Sequence, residues 1–164
     1  MIKKIIVMGV SGCGKSSMGQ KLADHYGFPF FDGDDYHCEN NVEKMRQSIP
    51  LTDEDRYGWL NTLNHILRDN DSAVVACSSL KPSYRDILRN NIDGLAIVYL
   101  QGDFDTIWQR HQKRDGHYFN GKSMLESQFE TLVEPENEPD VIAIDIRHSL
   151  DDVFSKSISE LALR

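Results

Sequence analysis

The segment Gly9-Val10-Ser11-Gly12-Cys13-Gly14-Lys15-Ser16 stands between a short apolar run and a stretch with helical periodicity. It fits the pattern G-x-x-x-x-G-K-[ST] without a mismatch, and its glycines allow backbone N–H groups to surround phosphate oxygens. The helix that starts near Lys15 adds the positive end of its dipole. We predict that this loop binds a nucleotide, with Lys15 at the β- and γ-phosphates and Ser16 at Mg²⁺. The candidate nucleotide-binding residues of this segment are Gly9, Val10, Ser11, Gly12, Cys13, Gly14, Lys15, Ser16 and Ser17.

Five short apolar runs alternate with longer helical segments along the 164 residues. Runs that are apolar at every position are typical of parallel strands, because helices cover both faces of such a sheet. The alternation predicts an α/β fold: one domain over residues 1–164, with three α/β/α layers around a five-stranded parallel sheet. The runs are Ile5–Met8, Phe28–Phe31, Ala73–Cys77, Ala96–Leu100 and Val141–Ile144. Ligands bind at the carboxyl ends of the strands in such sheets, so the residues after each run are candidates for the site.

The composition excludes several classes of protein. A net charge of −8 argues against a nucleic-acid binder, which needs a basic face. Three cysteines are too few for a disulfide framework, and the cysteines and histidines do not fall at zinc-ligand spacings. No apolar run is long enough to span a bilayer, and the one near the amino terminus is too short for a signal peptide. We expect a cytoplasmic protein with no nucleic-acid or membrane partner.

Two carboxylates follow the second apolar run, in the sequence Asp32-Gly33-Asp34. In phosphoryl transfer, one carboxylate can hold the hydration shell of Mg²⁺ while another accepts the proton of the attacking hydroxyl. Beside a phosphate-binding loop, this pattern predicts that Asp32 and Asp34 face one site and divide these two roles between them. A solvated acidic turn is the alternative interpretation, since Asp and Gly are common in turns.

Cationic residues mark two more parts of the candidate site. Ser78, Lys81 and Arg85 follow the third run, and the planar guanidinium of Arg85 suits a carboxylate. Solvated helix charges are the alternative interpretation of Lys81 and Arg85. Arg110 and Arg114 lie in or beside a polar loop, and we predict that residues 110–122 form a mobile lid that closes over ATP.

Longer motifs are more specific than the phosphate-binding loop. Pro-Leu-Thr-Asp-Glu-Asp-Arg occupies residues 50–56, and Cys-Ser-Ser-Leu-Lys-Pro-Ser-Tyr-Arg occupies residues 77–85. With Asp-Gly-Asp and the loop, they resemble the gluconate kinase family of P-loop small-molecule kinases, related to shikimate and nucleoside-monophosphate kinases. The matching segments run from Gly9 to about Asp145. Departures from the family pattern are Cys13, Cys38, Ser48 and Gly58, and none removes a group that the chemistry needs.

The resemblance implies transfer of the γ-phosphoryl group of ATP to the 6-hydroxyl of D-gluconate. It also implies dependence on Mg²⁺, a fold like that of nucleoside-monophosphate kinases, and a homodimer. By position, the resemblance implies that Asp34 is the base and Asp32 a partner of the metal. We expect Lys15, Asp34 and Arg114 to act in catalysis and Arg110 to bind the nucleotide. The candidate substrate-binding residues are Asp34, His37, Arg56, Ser78, Lys81, Arg85, His117 and Gln128. The alternatives are a kinase of another small acid or polyol, such as shikimate, and a nucleotide-binding regulator without catalysis.

Overall fold

The structure is a computed structural model that describes residues 1–115 and 121–164, and the side chains of residues 1–112 and 122–164. Its five strands form one parallel sheet in the order β2-β3-β1-β4-β5. The strands are β1 (Lys4–Met8), β2 (Phe30–Asp32), β3 (Ala73–Ala76), β4 (Leu95–Gln101) and β5 (Val141–Asp145). The predicted α/β fold with a five-stranded parallel sheet is confirmed. All residues of the central strand β1 are buried, as its continuous apolar character indicates.

Helices connect and cover the strands. They are α1 (Lys15–Tyr26), α2 (Glu39–Arg46), α3 (Asp53–Asp69), α4 (Pro82–Arg89), α5 (Phe104–Asp115), α6 (Gly121–Thr131) and α7 (Leu150–Leu161), with a 3₁₀ turn at Gly33–Tyr36. Helices α1 and α7 pack on each other and on the sheet, while α3 packs on α4 and on β3. In the part of the chain that the structure describes, no helix is both long and apolar enough to cross a bilayer.

Helix α3 begins earlier than its apolar periodicity suggests. The periodicity predicts a start at Asp55, whereas the helix starts at Asp53. Thr52 is the N-cap: its hydroxyl accepts from the Asp55 N–H, and the Asp55 carboxylate accepts from the Thr52 N–H. This reciprocal pair is a capping box, which satisfies N–H groups that a helix start leaves unpaired. The cap places Asp53 and Arg56 within the first turn of α3.

Two other boundaries differ from the prediction. Strand β2 begins at Phe30 rather than Phe28, because the Phe28 N–H donates to Ala23 at the end of α1 and Pro29 has no N–H to donate. Helix α5 extends to Asp115, so it includes Arg114, the residue predicted to begin a loop. Continuous helical hydrogen bonding there depends on tertiary context, which periodicity does not capture.

Candidate active site

The phosphate-binding loop ends where α1 begins. Gly12 and Gly14 have φ values of 85° and 96°, in the left-handed region that glycine adopts without a steric penalty. Gly14 is the N-cap of α1, with no side chain to occupy the first N–H groups of the helix. Those groups are therefore available to an anion. Lys15 is partly buried, and its Nζ lies 3.3 Å from the carbonyl oxygen of Val10.

Ser16 and Asp32 meet beside this loop. The Ser16 hydroxyl donates to Asp32 Oδ2 at 2.8 Å, and Asp32 Oδ1 accepts from the Asp34 N–H at 3.1 Å. Hydroxyl and carboxylate oxygens are the ligands that Mg²⁺ prefers, usually in small number beside phosphates and waters. The described residues contain no group of three or more His, Cys, Asp and Glu placed to hold a metal ion. The Ser16 hydroxyl and the Asp32 carboxylate are therefore oxygen donors that could contribute to a Mg²⁺ site.

There is a steric reason for a glycine between Asp32 and Asp34. A Cβ on Gly33 would lie 2.3 Å from the carbonyl oxygen of Ala76 in the neighbouring strand, closer than real Cβ contacts. The carbonyl of Gly33 accepts from Trp59 Nε1 at 2.7 Å, which ties this turn to α3. The chain therefore bends directly after β2, and the exposed Asp34 lines the cleft beside the phosphate-binding loop.

One cleft of about 440 Å³ joins the phosphate-binding loop to the predicted acceptor side. The predicted residues that line it are Ser11, Gly12, Gly14, Lys15 and Ser16 from the loop, with Asp34, His37, Arg56, Ser78 and Gln128 from five other places in the chain. Trp59 and His111 also line it and were not predicted. A signal for Trp59 exists in the sequence, because it lies one turn after Arg56 on α3.

His37 is held against Trp59. The two rings stack with their centroids 4.1 Å apart, and Asn41 Nδ2 lies 3.3 Å from His37 Nδ1. Burial lowers the pKa of His37, the nearby carboxylate of Asp34 opposes this shift, and the charge of Arg56 adds to it. A lowered pKa keeps the imidazole neutral at neutral pH. It can then hydrogen-bond a hydroxyl without adding charge.

Arg56 is a buried cation with little internal pairing. Arg56 is 8% exposed, and its Nη1 donates to the Tyr84 hydroxyl at 2.8 Å. Within residues 1–112 and 122–164, no other acceptor bonds its guanidinium. A guanidinium carries five N–H donors in a planar fork that matches a carboxylate. Because Arg56 also lines the cleft, most of these donors remain available to a ligand.

The structure does not support a substrate role for Arg85. Its side chain is 0% exposed and makes a two-fold ion pair with Glu138, at 2.8 Å for each hydrogen bond. It also donates to the carbonyl oxygens of Ser79 and Val133 at 2.8 and 3.1 Å. The guanidinium of Arg85 thus binds a carboxylate of this chain and presents no exposed donor to the cleft.

Lys81 also lies outside the set of residues that line the cleft. Its Nζ donates to Asp53 Oδ1 at 2.9 Å, so its charge is directed to the first turn of α3. Its side chain is 34% exposed and that of Asp53 44%, so this ion pair lies at the surface, as the alternative interpretation of a solvated charge allows.

Helix α6 contacts the phosphate-binding loop through Gln128. Its Oε1 accepts from the Ser11 N–H at 2.7 Å, and Ser11 Oγ lies 3.5 Å from Nε2 of His111 on α5. Gln128 was predicted to bind substrate, and the structure places it between the loop and the acceptor side of the cleft. The side chain of Arg114 and all of His117 lie outside the described residues, so their roles remain predictions.

A second cavity of about 340 Å³ lies on the other side of the loop. Cys13, Ser17 and Arg110 line it, with Ile146 from the segment after β5. The guanidinium of Arg110 donates to the carbonyl oxygen of Ile146, which brings the base of the predicted lid against that segment. Burial raises the pKa of the Cys13 thiol, which favours its protonated form.

The fold and the site define a class of protein: a P-loop kinase that transfers a phosphoryl group. The family model for shikimate kinase matches residues 11–162. Closer relatives specify the branch, and the chain belongs to the gluconokinase family. It is 44% identical to the thermosensitive gluconokinase of Escherichia coli, over 92% of this chain and 83% of that protein. It is 43% identical to the thermoresistant gluconokinase of the same organism, over 93% of this chain and 90% of that protein.

Solved structures agree with this assignment. The crystal structure of a gluconokinase from Sinorhizobium meliloti superposes with a TM-score of 0.93 and 42% identity, covering 98% of this chain and 91% of that one. Shikimate kinase from Aquifex aeolicus superposes with a TM-score of 0.54 and 13% identity, covering 97% and 96%. This second likeness shows the shared fold alone.

Proposed function

We propose that this protein phosphorylates D-gluconate at its 6-hydroxyl with ATP, giving 6-phospho-D-gluconate and ADP. One observation carries the proposal: a single cleft holds the phosphate-binding Lys15, the carboxylate of Asp34 and the underpaired guanidinium of Arg56. A sugar acid carries a carboxylate at one end and a hydroxyl at the other, so it complements a cleft with a cation and a base. The gluconokinase relatives support the same acceptor.

The residues of the loop and of the turn after β2 perform the chemistry in this proposal. Lys15 neutralises charge on the β- and γ-phosphates as the phosphoryl group leaves. Asp34 orients the acceptor hydroxyl and takes its proton. Ser16 and Asp32 would hold Mg²⁺, which supplies positive charge to the phosphate oxygens when bound. Proton transfer is late in a loose transition state, so Asp34 contributes mainly by orientation.

The acceptor would lie between α3, α6 and the end of β3. Arg56 takes its carboxylate, and the neutral imidazole of His37 and the hydroxyl of Ser78 suit the hydroxyls of the chain between the two ends. Gln128, bonded to the loop through its oxygen, retains N–H donors for the acceptor or the transferring group. This arrangement binds a flexible polyol through many neutral hydrogen bonds and one charged contact.

The remaining parts of the proposal concern the nucleotide and the cellular setting. The nucleoside of ATP would occupy the second cavity beside Arg110 and the segment after β5. Residues 110–122 would close as a lid, with Arg114 at the transferring phosphoryl group and His117 at the acceptor. We also propose a cytoplasmic homodimer that binds neither nucleic acid nor membranes, in keeping with the net charge of −8.

An acceptor panel tests the proposal. ADP release is measured with ATP and Mg²⁺, with gluconate, shikimate, other sugar acids or no acceptor. We expect strong gluconate-dependent release, and a product that 6-phosphogluconate dehydrogenase oxidises. Lys15→Ala should lower kcat by at least about 100-fold without unfolding the protein, because it removes a preorganised charge at the phosphates. Lys156→Ala, an exposed lysine on α7, is the matched control.

The variant Asp34→Asn tests the two proposed roles of Asp34, because an amide can still orient the acceptor hydroxyl but cannot take its proton. We expect kcat to fall by no more than about 100-fold, because the loose transition state limits what a base can add. Asp35→Asn is its control. Faster turnover of shikimate than of gluconate would identify a different acceptor. ATP binding without acceptor-dependent ADP release would identify a regulator and refute the proposal.

A further inference from the structure

A chain of four side chains joins the start of α4 to the acceptor side of the cleft. Lys81 Nζ donates to Asp53 Oδ1 at 2.9 Å, and the Tyr84 hydroxyl donates to the same oxygen. The Tyr84 hydroxyl in turn accepts from Arg56 Nη1 at 2.8 Å. Of these residues, Arg56 alone lines the cleft. We propose that Tyr84, with Asp53 and Lys81, positions Arg56 and keeps its guanidinium open for the carboxylate of the acceptor.

The geometry of α3 would favour a direct ion pair between Asp53 and Arg56, which this set of hydrogen bonds prevents. Asp53 and Arg56 are three residues apart in the first turn of one helix, the spacing at which opposite charges pair. A direct pair would direct the fork of Arg56 to Asp53 and leave fewer donors for a ligand. Such a pair would also neutralise the charge that attracts an anionic acceptor.

Tyr84 separates the two charges. Its ring is 1% exposed, and its hydroxyl bonds both the Asp53 carboxylate and the Arg56 guanidinium. Because this hydroxyl donates to one group and accepts from the other, it stands between them without adding charge. The guanidinium also lies over the Tyr84 ring, with Cζ 5.4 Å from the centroid. These contacts hold an otherwise flexible side chain in one orientation.

Lys81 completes the arrangement at its outer end. Its ammonium neutralises Asp53 and occupies the oxygen that Tyr84 also uses. The pKa of Asp53 is lowered, first by the hydrogen bond from Tyr84 and then by the one from Lys81, so this carboxylate stays charged while both donors bond its Oδ1. Asp53, Tyr84 and Lys81 are therefore positioning residues, and the contact with the acceptor belongs to Arg56.

The inference rests on the proposed function, and its test uses a neutral analogue of the acceptor. D-glucitol has the same carbon chain as gluconate but no carboxylate. For wild type and Tyr84→Phe, we would measure the KM of gluconate, the KM of ATP and the inhibition constant of D-glucitol. Tyr57→Phe is the matched control, because it removes a hydroxyl from an exposed tyrosine of α3.

We expect Tyr84→Phe to raise the gluconate KM roughly tenfold, since a hydrogen bond to a charged group is lost and Asp53 can then compete for Arg56. The ATP KM and the D-glucitol inhibition constant should each change by less than about twofold, because neither ligand uses the charge of Arg56. Equal weakening of gluconate and D-glucitol would overturn the inference, because it would indicate a general loss of structure at the site.

Lys81→Met provides a second variant, at the partly exposed end of the chain where folding is little affected. It should raise the gluconate KM about threefold and leave D-glucitol unchanged, because an unneutralised Asp53 attracts Arg56. A wild-type protein without gluconate-dependent ADP release would refute the proposed function itself. An active wild type whose gluconate selectivity survives both substitutions would refute this inference alone.

Discussion

Arg56 and Arg85 are both buried arginines near the carboxyl edge of the sheet, but their guanidinium groups have different surroundings. Arg85 makes four hydrogen bonds, two of them to one carboxylate, and is 0% exposed. Arg56 makes one side-chain hydrogen bond to the described residues and lines the cleft. A guanidinium with four of its five donors bonded inside the protein stabilises the fold, whereas one with a single internal hydrogen bond can bind a ligand.

The difference arises from what each arginine faces across its helix. Arg85 faces the segment before β5, where Glu138 and the carbonyl of Val133 supply acceptors. Arg89 extends this contact, since it donates to Glu138 at 2.6 Å and to both oxygens of Asp140. Arg56 faces a phenol, whose single hydroxyl can satisfy one donor. The same residue type is thus buried in an ion pair at one position and lines the cleft with a single side-chain hydrogen bond at the other.

Replacing Arg85 should produce the largest of these effects, a loss of folding stability. Arg85→Met leaves Glu138 and two buried carbonyls without this partner, and we expect a loss of about 3 kcal/mol in the free energy of unfolding. For a chain of this size, that corresponds to a Tm lower by about 6–12 °C. Denaturant unfolding measures it, with the exposed Arg68→Met as the control. A change within about 0.5 kcal/mol would show that Arg85 does not stabilise the fold.

Replacing Arg56 should affect acceptor binding instead. Arg56→Met removes the one charged contact proposed for the carboxylate, so gluconate kcat/KM should fall by about 30- to 100-fold, or about 2–3 kcal/mol. The ATP KM should stay within about twofold, and the loss of Tm should be smaller than in Arg85→Met. Steady-state kinetics and thermal unfolding of the two variants test the contrast directly. Equal losses of Tm in both would abolish the distinction between them.

The smallest expected effect is on the contribution of Glu138 to stability, which should decrease at acidic pH. The hydrogen bond from Arg85 is the main cause of a Glu138 pKa below its ordinary value of 4.5. A depressed pKa stabilises the folded state above the ordinary value, and this stabilisation is lost as the pH falls toward the folded pKa. Glu138→Gln should therefore cost about 1 kcal/mol near neutral pH and less in acid.

Urea unfolding of wild type and Glu138→Gln between about pH 6 and pH 3 measures this dependence. The other carboxylates with depressed pKa values, such as Asp55 and Asp145, are common to both proteins and cancel in the difference. A difference in stability that stays constant with pH would show that Glu138 is not held as a carboxylate by its arginine partners.

Much of the site could be predicted because its residues follow the strands directly. The loop after β1, Asp34 after β2 and Ser78 after β3 all line one cleft, as the parallel sheet requires. The α3 boundary was predicted two residues late because apolar periodicity carries no information on the cap. The pattern Thr52-x-x-Asp55 is the signal that could have located it.

The internal partners of Lys81 and Arg85 could not be predicted from the sequence. Lys81 and Arg85 are residue types that bind carboxylates, but residue type alone does not say which carboxylate is bound. Asp53 lies 28 residues before Lys81, and Glu138 lies 53 residues after Arg85. Such partners depend on which helices and loops pack together, and a local pattern does not contain that information.

The phosphate-binding loop, the parallel sheet and the kinase class could be predicted from the amino-acid sequence alone. Each depends on a contiguous segment, either a glycine-rich loop or an apolar strand, whose backbone conformation is determined locally. Whether a given arginine bonds acceptors of the protein or keeps its donors open to the cleft depends on how distant segments pack together. A guanidinium binds the nearest desolvated acceptors, and only the assembled helices bring Glu138 to Arg85 and leave Arg56 with one phenol.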